Sequence, residues 1–141
     1  MKIKLIVLLI AFGVFLSFAF CSNTIYAELQ DIGVKITSPS AGQKVPVGEL
    51  TIFGTSTDNE TTDCQVQVDV NDIKPFQNAT ATGPMMKNDY STWIFSYTKD
   101  YHLIGEGANE LTAKISCLYG PVSLTKYYTV NVIGVNREQE Q

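Results

Sequence analysis

Apolar and polar residues alternate along most of the chain in short segments bounded by turn residues, the two-residue period of half-buried strands. Val34 and Ile36 alternate with polar neighbours before a turn at residues 38–42 that carries Pro39 and Gly42, and Leu50 and Ile52 do the same before Gly54. The clearest alternation follows: Cys64, Val66, Val68 and Val70 share one face, and Gln65, Gln67 and Asp69 share the other. Asn71, Asp72 and Pro75 interrupt it, and proline cannot donate to a central ladder, so an edge strand or a loop is expected there. Residues 77–91 hold the longest stretch without a pattern and contain Gly83 and Pro84, which predicts a crossing between sheets. Trp93, Phe95 and Tyr97 then alternate with Ile94, Ser96 and Thr98. Leu111, Ala113, Ile115 and Cys117 alternate with Thr112, Lys114 and Ser116, and Tyr128, Val130 and Val132 close the set. Six main strands and one or two weaker edge strands in one domain predict an all-β antiparallel sandwich of about seven strands.

The first residues break this pattern. Residues 5–21 carry no charge and follow Lys2 and Lys4, and polar Ser22, Asn23 and Thr24 precede Ala27. A basic start, an apolar run and a small residue at the cleavage position read as an export signal over residues 1–27, with the mature chain, residues 28–141, beginning at Glu28. An uncleaved membrane anchor is the second reading, since about 20 apolar residues span a bilayer. A lipid-attached Cys21 ranks third, because Phe18, Ala19 and Phe20 lack the usual small residue just before the cysteine.

Export changes the charge. The whole chain has a formal net charge of -4. Without the leader, eight basic residues face fourteen acidic ones, a net charge of -6. Such a chain is repelled by phosphates, so nucleic acid is excluded as a partner. The mature chain keeps two cysteines, an even number suited to an oxidising compartment.

Several motifs resemble the Ig-like modules of microbial surface proteins and secreted glycosidases. They are Val34, Lys35, Ile36, Thr37, Ser38 and Pro39 with Gly42 and Val45; Leu50, Thr51, Ile52, Phe53, Gly54 and Thr55; and Val66, Gln67, Val68, Asp69, Val70 and Asn71. Trp93, Leu103, Gly107, Asn109, Leu111 and Ala113 complete the likeness, which covers nearly all of the mature chain. The resemblance implies an immunoglobulin-like sandwich and a spacer, adhesion or carbohydrate-contacting role. Cys117 and the pair Gly120 and Pro121 depart from the family's last hairpin, and the cysteine positions differ from those of antibody domains. In an Ig-like sandwich the third and sixth strands run side by side and antiparallel. Cys64, opening its strand, and Cys117, closing its own, then form a disulfide with both sulfurs inward.

Candidate chemistry is sparse. His102 stands alone, without the spacings that hydrolytic triads or zinc sites require, so no catalytic residue and no cofactor are expected. Asp69, Asn71 and Asp72 resemble a cadherin calcium junction, since Ca²⁺ takes six to eight oxygen ligands. Ile73 stands where that motif needs asparagine, and a strand ending in an Asn-Asp turn is the preferred reading. Asp58, Asn59, Glu60 and Asp63 read as a solvated acidic loop. Asn59 and Asn78 each open an N-glycosylation acceptor pattern and are expected in loops. Tyr90, Tyr97, Tyr101, Tyr119, Tyr127 and Tyr128 offer aromatic faces for sugars or peptides, although sandwich aromatics mostly pack in the core. The expected function is a non-enzymatic exported surface or envelope module that acts through protein contacts, its partners other envelope or surface proteins. Membrane contact is expected only through an uncleaved leader. The alternative is a carbohydrate-binding accessory module, with glycans as partners.

Overall fold

The computed structural model describes residues 31–139 except Met86. The export signal expected over residues 1–27, Cys21 and the cleavage expected before Glu28 lie outside the described residues. Nine strands are described: β1 (Val34–Ser38), β2 (Lys44–Pro46), β3 (Leu50–Ser56), β4 (Asp63–Val70), β5 (Gln77–Asn78), β6 (Thr80–Ala81), β7 (Thr92–Tyr97), β8 (Gly107–Tyr119) and β9 (Val122–Val135). They form two sheets packed against each other, one ordered β1-β3-β7-β6 and the other β2-β9-β8-β4-β5. Neighbours are antiparallel except β2 and β9, which run parallel.

The period of two decides what fills the space between the sheets. Cys64, Val66, Val68 and Val70 of β4 are buried, as are Leu111, Ala113, Ile115 and Cys117 of β8. Ile52, Trp93 and Tyr97 meet them from the other sheet. Each fully buried aliphatic or aromatic side chain of this kind contributes about 1.5–3 kcal/mol relative to exposure. Trp93 fits because residue 54 is glycine: a Cβ there would lie 2.0 Å from Cζ2 of the indole. The indole Nε1 donates to the Thr55 carbonyl at 3.2 Å.

The predicted crossing is confirmed and localised. Asn78 ends β5 in one sheet and Thr80 begins β6 in the other, with buried Ala79 between them. Three details differ from the sequence reading. The short β2 was not expected; it exists because Val45 buries its side chain while the backbone pairs with the end of β9. Asp69 lies on the polar face of β4 and is nevertheless buried, because Lys74 folds back onto it. Asp58 is buried as well, since its carboxylate accepts from the Tyr90 amide at 2.9 Å and the Thr62 hydroxyl at 2.6 Å.

Candidate contact surface

The β8 and β9 strands form a long hairpin whose register runs without interruption from Gly107 opposite Gly134 to Tyr119 opposite Val122. Gly120 supplies the positive φ, 60°, that the first position of a tight two-residue hairpin turn of this hand requires. Near this tip Cys64 and Cys117 face each other in the β4–β8 ladder and are disulfide-bonded, their α-carbons 4.0 Å apart. That spacing belongs to the close, non-hydrogen-bonded kind of cross-strand pair. The bond joins neighbouring strands of one sheet and ties the hairpin end to the start of β4. Both half-cystines are buried, as the alternation predicts.

On the outer face of the same sheet, Lys114 of β8 stands opposite Tyr127 of β9. The segment between β4 and β5 brings Phe76 over them. The Phe76 and Tyr127 ring centroids are 6.3 Å apart and tilted by 48°. The Lys74 ammonium lies 3.8 Å from the Phe76 ring centre and that of Lys114 4.4 Å, distances at which a cation is attracted to the ring quadrupole. Tyr127 remains 62% exposed. Beside this group the Asn78 side-chain oxygen accepts from the Gln67 amide at 2.9 Å and from that of Gln65 at 3.1 Å. The result is an aromatic centre with two cations and an amide rim on the outer face of the sheet. Only Tyr127 of this group was singled out from sequence as an aromatic contact. The signal for the others was available: Lys114 sits on the polar side of the β8 alternation, and Phe76 follows a proline that bars a central strand.

Asp69, Asn71 and Asp72 do not converge on a common point. Lys74 pairs with Asp69 Oδ2 and lies 3.6 Å from Asp72 Oδ1, so an ammonium occupies the space between the two carboxylates. Hydrogen bonding to Asp69 and the two acidic neighbours hold the Lys74 ammonium above its ordinary pKa. Asp69 Oδ1 is buried without a hydrogen-bond partner among the described residues. Asn71 turns away: its oxygen accepts from the Glu110 amide at 2.8 Å and its nitrogen donates to Asn109 at 3.3 Å. Asn71 and Asp72 both have positive φ, 51° and 58°, which makes the Asn-Asp turn. Among the described residues no three His, Cys, Asp or Glu side chains are grouped to hold a metal ion. His102 is half-buried in the connection between β7 and β8.

Asn59 lies in the β3–β4 loop as expected, its oxygen accepting from both the amide and the hydroxyl of Thr61. Asn78 does not lie in a loop. It belongs to β5, because the chain after Pro75 pairs with β4 with Asn78 opposite Gln67. The tyrosines divide as well. Tyr97 is fully buried, its hydroxyl donating to the Asp69 carbonyl at 2.9 Å, and burial pushes its phenol far above the ordinary range. Tyr90 is also buried, Tyr101, Tyr119 and Tyr128 pack partly against the core, and Tyr127 faces solvent.

No protein-family model matches the chain. No curated protein is detectably similar to it in sequence. Among solved structures, the endo-β-1,4-mannanase from Thermotoga petrophila superposes with a TM-score of 0.52 at 14% identity. The match covers 77% of this chain and 21% of that one, so the chain corresponds to about a fifth of the enzyme's length. A likeness at this identity is one of fold.

Proposed function

We propose that this protein is a non-enzymatic, exported surface or envelope module that works through protein contacts on the outer face of the β4–β8–β9 sheet. The observation that carries the reading is exposed Tyr127 beside Phe76, with Lys74 and Lys114 set over the Phe76 ring. An aromatic centre with a polar rim is how protein interfaces are built, and aromatic residues dominate their energetics. The Lys114 ammonium, set over the Phe76 ring, suits a partner surface that presents a carboxylate beside apolar groups. The strand orders support an immunoglobulin-like connectivity, in which strands A, B, E and D make one sheet and C, F and G the other. The buried disulfide favours an oxidising compartment and so supports export.

A carbohydrate-binding accessory role is the second reading. It draws on the exposed Tyr127 ring and on the likeness to part of a mannanase. Against it, the Phe76 ring already holds two cations, which leaves its faces poorly placed for a sugar. The test is affinity capture from a native envelope fraction with the wild-type chain and with a Phe76→Ala/Lys114→Glu variant, beside a glycan array. The reading predicts a protein retained by the wild type and lost by the variant, with no glycan bound. A glycan bound by the wild type and lost by the same variant would establish the second reading instead.

A further inference from the structure

The chain holds two acceptor patterns for asparagine-linked glycosylation, and the fold treats them differently. A transferase must enclose the asparagine and reach the hydroxyl two residues on, so all three residues have to be free together. Asn59, Glu60 and Thr61 are exposed and lie between β3 and β4, outside both ladders. The Thr61 amide donates to Asn59 Oδ1 at 2.8 Å and the Thr61 hydroxyl at 2.6 Å, which turns the hydroxyl onto the carboxamide. Both bonds fall on the oxygen and use none of the hydrogens on Nδ2. They draw electron density toward the oxygen, so an Nδ2 proton is more easily lost.

Asn78, Ala79 and Thr80 are instead divided between the two sheets. Asn78 pairs with Gln67 in one, and Thr80 pairs with Ile94 in the other. Ala79 between them is buried, its amide donating to the Val66 carbonyl at 3.0 Å. The Asn78 oxygen also accepts from the Gln65 and Gln67 side chains. Presenting this pattern to an enzyme means detaching β5 and β6 from their sheets and exposing Ala79, a local unfolding that the loop at Asn59 does not need.

We propose that Asn59 is the folded chain's acceptor for an oligosaccharide carried on a lipid diphosphate, and that the fold withholds Asn78. In the transfer, Asn59 Nδ2 bonds to the anomeric carbon of the first sugar. The bond from that carbon to the diphosphate oxygen breaks, its electron pair leaves with the lipid diphosphate, and the Nδ2 proton passes to a carboxylate of the transferase. A glycan is bulky, and Asn78 borders the group of Phe76, Tyr127 and the two lysines. Withholding it leaves that face bare, a consequence that rests on the contact-module reading, whereas the choice of acceptor rests on the loop and strand geometry alone.

The test supplies the transferase and donor directly, so its result is independent of where the chain resides. The full chain, folded and disulfide-bonded, is taken from a host without asparagine-linked glycosylation and incubated with a single-subunit oligosaccharyltransferase and lipid-linked oligosaccharide. A reduced and denatured sample runs beside it, and both are mapped by peptide mass. The expected result is sugar on Asn59 of the folded chain, with Asn78 modified about tenfold more slowly or not at all, and sugar on both in the denatured chain. Asn59→Gln and Thr61→Ala should leave the folded chain bare, and Thr61→Ser should restore modification. Comparable modification of Asn78 in the folded chain, a folded chain bare at Asn59, or an Asn78 refused by the denatured chain as well would each overturn the proposal. None of these outcomes touches the contact-module reading, which capture through Phe76 and Lys114 decides.

Discussion

At the scale of single residues, the loops at the Cys64 end of the sandwich are built from carboxylates that act as internal caps. Asp89 accepts from the Met85 amide at 2.9 Å and the Ser91 amide at 3.0 Å, and hydrogen bonding from the Ser91 side chain, with these two amides, holds its carboxyl below the ordinary value. The sign follows from linkage: the unfolded chain binds a proton at Asp89 more readily than the folded one. This contribution is therefore complete above the unfolded carboxylate value of about 4 and lost as pH falls through the lower folded value. Urea titrations of the wild type at successive pH values are expected to show stability falling across that window. Asp89→Ala should be less stable at neutral pH and show a flatter acid limb; a variant with an unchanged limb would remove Asp89 from this role. The sequence marked Asp58, Asn59, Glu60 and Asp63 as charged loop residues, but it gave no sign that Asp58 is buried. Its partners include Tyr90, thirty-two positions away, and only the β6–β7 connection brings them together.

At the scale of elements, the hairpin and its brace are the part most legible beforehand. The faces of β4 and β8 follow from alternation alone, and the Ig-like resemblance supplied their adjacency, so the cystine falls where the sequence reading put it. The two half-cystines are 53 positions apart, and closing a loop of that length stabilises the fold by about 4 kcal/mol in the chain-entropy model. Cys64→Ser/Cys117→Ser should lower the denaturant midpoint accordingly, and non-reducing peptide mapping of the native chain should recover the linked pair; a midpoint unchanged by the double substitution would show that the bond does not restrain the unfolded chain. β2 was illegible for a physical reason. Three residues ending in Pro46 carry no periodic signal, and their parallel pairing with β9 depends on a partner almost ninety positions away. The candidate contact surface was equally hidden, because Phe76, Lys114 and Tyr127 meet only through the β8–β9 register and the fold-back of the segment after β4.

At the scale of the molecule, the two sheets present unlike outer faces. One carries the aromatic and cationic group around Tyr127, and the other carries Phe53, 49% exposed and paired with Ile94. A module that works through one face should engage its partner there and leave the other face bare. The direct measurement is site-specific photo-crosslinking in the native cell, with benzoylphenylalanine placed at Tyr127 in one chain and at Phe53 in another. The account predicts a covalent adduct to a second, different protein from position 127 and none from position 53. Equal adducts from both positions, or none from 127 in the natively localised protein, would contradict it.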